Sequence, residues 1–116
     1  MLNLHHKNLD VYKKAIELVK HIYKITVHLP KEEMFGLTSQ IRRAAISVPS
    51  NLAEGAARKS KVERKRFFEI SRASLVELDT QIEIAIGLKM LDKNQIIDLE
   101  ELMNHNFALI SKLIAS

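Results

Sequence analysis

The sequence predicts an all-α protein, an antiparallel up-down-up-down four-helix bundle whose second helix is kinked at Pro49. Three observations lead there. Glycine and proline are scarce, at three and two residues in 116, while Leu, Ile, Ala, Glu and Lys dominate, the balance of a helical chain. Four segments repeat apolar residues at spacings of three and four, the period of one helix face. The connectors are short and no segment alternates like a half-buried strand, so antiparallel neighbours are the economical packing. At 116 residues the chain is read as one domain, 1–116, with a single core.

The first helix is predicted over about 10–28, with Val11, Ala15, Leu18, Ile22, Ile25 and Leu29 forming its stripe. Asp10 is placed as its N-cap, Tyr12 and Tyr23 pack on its flank, and Pro30 ends it by forcing the preceding residue out of helical geometry. The connector 31–36 can hold one helical turn, KEEM, before Gly36 breaks it.

The second helix, about 37–57, carries Leu37, Ile41, Ala44, Val48 and Leu52 inward. Pro49 removes one backbone donor and crowds the preceding turn. The stripe continues through the proline in register, which favours one kinked helix over two short ones.

Ser60-x-x-Glu63 is a capping-box pattern and sets the third helix at 61–90. Its inner stripe is expected to be Phe67, Ser71, Ser74, Leu78, Ile82 and Ala85, flanked by Phe68, Leu75 and Ile86. Asp92-x-x-Gln95 is a second cap and opens the fourth helix, 94–115. Ile96, Leu99, Met103, Phe107, Ile110 and Ile114 form its stripe, widened by Leu102, Leu109 and Leu113.

Several function classes are excluded by what is missing. There is no cysteine, hence no disulfide framework and no thiolate metal site. No window approaches the run of about 18 apolar residues that a membrane span needs. The opening MLNLHHKNLD lacks the apolar run and cleavage site of a signal peptide, so the expected location is the cytoplasm. Acids gather on the third and fourth helices (Glu77, Asp79, Glu83, Asp98, Glu100, Glu101), but no Glu-x-x-His occurs and Glu101/His105 has no counterpart. No metal or cofactor is therefore expected. His5, His6, His21, His28 and His105 are scattered, with no nucleophile that the sequence places beside them. Gly55 is isolated and reads as a close helix approach or the exit of the second helix, not a phosphate loop. The chain is read as a non-enzyme.

Charge supplies the functional lead. Residues 42–72 hold nine cations (Arg42, Arg43, Arg58, Lys59, Lys61, Arg64, Lys65, Arg66, Arg72) against three acids, whereas residues 76–116 hold three cations against seven acids. So uneven a distribution aims one positive surface at an anionic partner, and the nine cations are the candidate nucleic-acid-binding residues. Lys61, Lys65 and Arg72 fall within about 40° of one another at 100° per residue. No aromatic platform or zinc-ligand set accompanies them, so contact with phosphates is expected, largely independent of base sequence.

A polar row, Gln40, Ser47, Asn51 and Glu54, follows the flank of the second helix beside Arg43 and Arg58. Such a row could grip a phosphate or a partner. It could equally be structural, Glu54 pairing with Arg43 or Arg58 and Ser47 or Asn51 satisfying the carbonyl freed by Pro49, and the proline favours this. Ile46, Ala53, Val76 and Ile84 point away from the core stripes and are the candidate oligomer interface.

The segment GLTSQIRRAAISVPSNLAEGAARKSKVERKRFFEISRASLVELDTQIEIA resembles the four-helix-bundle family of bacterial 23S rRNA intervening-sequence proteins. That family is similar in turn to the accessory variability determinant of diversity-generating retroelements. The specific parts are Leu37–Ala44, Ser47–Gly55 and Ser74–Thr80, within a likeness that runs from VYKKAIEL through the last helix. The resemblance implies a ring-like homopentamer with a basic surface for nucleic acid and no enzymatic activity. For the retroelement relative it implies a complex with a reverse transcriptase. Gln40, Arg42, Arg43, Asn51, Glu54 and Glu77 match the family pattern by position, and Glu77 thereby joins the structural polar row. Two function readings result: RNA or DNA binding through the basic surface, or an accessory scaffold that presents the same surface to a protein.

Overall fold

The computed structural model describes all 116 residues. The chain is all-helical, with four α-helices and no strand: α1 (Asp10–Thr26), α2 (Leu37–Ala56), α3 (Lys61–Gly87) and α4 (Ile97–Ala115). Short 3-10 turns, His5–Asn8, Lys31–Glu33 and Lys93–Ile96, precede α1, α2 and α4. Each helix packs on two others: α1 on α2 and α4, and α3 on α2 and α4, with the α2–α3 pair most extensive. All four contribute to one apolar cluster, centred on Leu18, Ile22, Ile41, Val48, Leu78, Leu99 and Ile110.

The helix ends follow local chemistry, sometimes not as expected. Asp10 is not the N-cap of α1. It lies inside the first turn, where its carboxylate faces the positive end of the helix dipole, and Leu9 occupies the cap position without a side-chain bond. α1 stops at Thr26, short of 28, and the chain tightens through His28 N–H to Ile25 and Leu29 N–H to Thr26. α2 is one helix through a buried Pro49. Ser60 caps α3 by accepting Glu63 N–H at 3.1 Å, but Glu63 returns no bond, so only half of the expected capping box forms. The Asp92/Gln95 box is complete, with Asp92 N–H donating to Gln95 at 2.7 Å. It opens the Lys93–Ile96 turn, and α4 proper begins at Ile97.

α3 ends at Gly87, three residues before the expected 90. Lys89 adopts φ 61°, and Met90 N–H donates to Ala85 while Lys89 N–H donates to Ile86. This is a Schellman closure with lysine where glycine is usual, so no sequence signal marked it.

Two aromatic assignments are corrected by packing. Phe68, not Phe67, enters the core. Gly55 makes room for it: a Cβ on Gly55 would lie 2.6 Å from the Phe68 ring and 3.0 Å from the Arg64 carbonyl oxygen. In α4 Phe107 is 44% exposed, and the inward position next to it belongs to Asn106, which is fully buried and donates to the Leu102 and Lys14 carbonyls at 2.8 and 3.3 Å.

Candidate nucleic-acid interface

The turn between α2 and α3 carries the basic surface, and its shape is held by arginine. Arg64, one turn into α3, donates through Nη1 to the carbonyls of Arg58 (3.1 Å) and Lys59 (2.8 Å), so it ties the turn that follows α2 to the start of α3. Arg58 pairs with Glu54 at 3.0 Å and lies 4.6 Å over the Phe67 ring. Phe67 is half-buried there, beneath a guanidinium. These contacts immobilise the backbone on which Lys59 and Lys61 stand.

The nine predicted cations do not form one free row. Arg42 turns toward α1, where its Nε donates to Thr26 at 2.9 Å and its guanidinium lies 4.5 Å from the Tyr23 ring. Arg72 turns toward α4, donating to Ser111 at 3.1 Å beside Phe107. Arg72 therefore leaves the row predicted with Lys61 and Lys65. Arg43, Lys59, Lys61, Lys65 and Arg66 are exposed, and none takes part in either of the two ion pairs, Lys14–Glu17 and Glu54–Arg58. Sequence reasoning did not foresee Arg64 as the clamp of the turn; the signal was its place one turn after the Ser60 cap.

The polar row divides as well. Ser47 meets Ser74 of α3 at 2.8 Å, and Asn51 donates to the Ser47 carbonyl and hydroxyl at 2.9 and 2.8 Å. Ser71 donates to the Val48 carbonyl at 2.8 Å. The Ser47–Ser74 and Ser71–Val48 bonds join α2 to α3 beside Pro49, while those of Asn51 stay within α2. Asn51 bonds the Ser47 carbonyl, not the Ala45 carbonyl that Pro49 deprives of a donor. Glu54 takes Arg58 rather than Arg43, Glu77 accepts from Gln81 at 3.1 Å, and Gln40 is exposed. Of the four candidate interface residues, Ile46, Val76 and Ile84 are exposed and Ala53 is half-buried. No three His, Cys, Asp or Glu side chains converge as metal ligands, and no helix is long and apolar enough to cross a membrane.

The family model described as 23S rRNA-intervening sequence protein matches residues 7–112, which includes all four helices but the last three residues of α4. The chain belongs to that family. Its fold is similar to the crystal structure of a protein of unknown function from the S23 ribosomal protein family of Bacteroides thetaiotaomicron. The likeness has a TM-score of 0.83 at 19% identity over 91% of this chain and 99% of that one. No curated protein matches this chain. For this member of the 23S rRNA-intervening sequence family, neither comparison indicates a catalytic family.

Proposed function

We propose that the protein is a non-enzymatic, oligomeric, cytoplasmic bundle that binds RNA or DNA through the basic surface around the α2–α3 turn, largely without regard to base sequence. The observation that carries this is four exposed cations, Lys59, Lys61, Lys65 and Arg66, without an ion-pair partner, on a turn clamped by Arg64 and on the first turns of α3 that follow it. Lysines held on a fixed backbone suit phosphate neutralisation, whose strength comes from counterion release. The family's name, which refers to 23S rRNA, agrees with an RNA context. In this reading the helices run up-down-up-down with α2 bent at Pro49. The ring of neighbours, α1–α2–α3–α4–α1, supports that arrangement, as do the Ser47–Ser74 and Val48–Ser71 contacts.

Fluorescence anisotropy against a labelled single-stranded RNA and a DNA duplex, over a salt series, tests the binding. Wild type should bind both, with affinity falling steeply as salt rises. Lys59→Glu with Lys61→Glu should lower the salt slope by about 2, roughly one per lost phosphate contact. An unchanged slope and affinity in that variant would remove the proposal.

A further inference from the structure

Away from the basic turn, a groove of about 740 Å³ lies between α3 and α4. Leu75, Ile82, Leu99 and Met103 line its apolar depth, and exposed Val76 and Phe107 stand at its edge. Its polar rim is mainly acidic, with Asp79, Glu83 and Glu100 against one lysine, Lys93. On α3 the groove runs from Leu75 to Gly87, about 18 Å or three helical turns at 1.5 Å per residue.

The chain carries the complementary surface on the other half of the same helix. Val62, Lys65, Arg66, Glu69, Ile70 and Ala73 border a shallow depression on the outer face of α3. Their spacings of three and one repeat along a helix face over about 17 Å, again three turns. Val62 is 80% exposed and Ile70 39%, two apolar side chains flanked by unpaired Lys65 and Arg66. The minority charges also oppose each other, Glu69 on the basic strip and Lys93 on the acidic rim.

The geometry points to a docking site in which the α3/α4 groove of one copy receives the Val62–Ala73 face of a second copy. This rests on the oligomeric part of the proposed function and specifies its contact. An amphipathic helix laid into an apolar groove is a common mode of recognition, with charge on the rims setting partner and register. Groove and strip are different surfaces, so the contact is head-to-tail and each copy keeps one of each to offer; such contacts propagate into a ring or a filament. Docking uses Lys65 and Arg66 and leaves Arg43, Lys59 and Lys61 facing outward for an anion.

Sedimentation velocity on the full chain, from 2 to 100 µM, tests the pairing. Wild type is expected to self-associate. Glu83→Lys with Glu100→Lys should weaken association at least about tenfold, because it sets like charges against Lys65 and Arg66. Lys65→Glu with Arg66→Glu should do the same. An equimolar mixture of the two double variants should regain mixed assemblies in which the variants alternate, and the quadruple variant should recover self-association to near the wild-type level. All four changes are at exposed positions, and far-UV circular dichroism checks that helicity is retained. A wild-type chain that stays monomeric throughout, reversals that leave association unchanged, or a quadruple variant that stays dissociated overturns the inference. The two proposals separate cleanly: Glu83→Lys/Glu100→Lys should dissociate yet still bind nucleic acid, whereas Lys59→Glu/Lys61→Glu should associate yet bind it poorly.

Discussion

Replacing glycine by alanine inside a helix ordinarily stabilises a protein, and this fold offers two glycines at which the same change should have opposite signs. In a helix interior alanine is favoured over glycine by about 1 kcal/mol. At Gly87, the last residue of α3, an added Cβ meets nothing within 4 Å, so Gly87→Ala should stabilise, by about 0.5 kcal/mol so near a helix end. At Gly55 the new carbon would lie 2.6 and 2.8 Å from two atoms of the Phe68 ring and 3.0 Å from the Arg64 carbonyl oxygen. The ring is in the core and the carbonyl is backbone, so neither yields without moving α3 against α2. Overpacking of this kind costs about 1–3 kcal/mol, and subtracting the same gain of about 0.5 kcal/mol, since Gly55 is also next to a helix end, leaves a net loss of about 1.5 kcal/mol. The two variants should therefore differ by about 2 kcal/mol, roughly 8 °C in Tm for a domain of this size. Urea unfolding followed by circular dichroism at one fixed protein concentration measures both, the fixed concentration removing any contribution from self-association. If Gly55→Ala proves as stable as Gly87→Ala, the close approach of α2 and α3 is not what selects glycine at 55.

Two further outcomes follow from the same packing. Lys89→Gly removes a side chain from a residue at φ 61° and should stabilise by about 1 kcal/mol, read as a rise in the urea midpoint without a change in slope; a fall would mean that the lysine side chain supports the turn. Asn106 is fully buried with its Oδ1 unpartnered, so Asn106→Leu, close in volume, should leave stability unchanged or raise it by about 1 kcal/mol; a loss of 2 kcal/mol or more would show that its bonds to Lys14 and Leu102 outweigh the orphaned oxygen.

Much of the architecture was legible because it is written in neighbours along the chain. The apolar stripes of α1 and α2, the break around Pro30 and Gly36, the Ser60 cap and the Asp92/Gln95 box all depend on residues within a turn or two of each other. The apolar faces were legible to within one residue, and the errors are adjacent pairs: Phe67 for Phe68, and Phe107 for Asn106. Neighbours on a helix stand 100° apart, so both of each pair border the inner face, and the surface opposite decides between them. For Phe68 that surface is Gly55 on another helix; for Asn106 it is the Lys14 carbonyl, 92 positions away.

The basic surface shows the same division more sharply. Composition alone set the sign of the field along 42–72, since charge is counted residue by residue. Which cations remain free is a property of contacts between helices. Arg42 finds Thr26 sixteen positions back, and Arg72 finds Ser111 thirty-nine positions ahead. No periodicity within α2 or α3 records either partner. Helical period, caps and net charge were thus fixed by local covalent order, because their physics acts over a few residues. The choice of core aromatics, the clamp on the α2–α3 turn and the acidic groove between α3 and α4 came only with packing, because each needs side chains that meet in space and not in sequence.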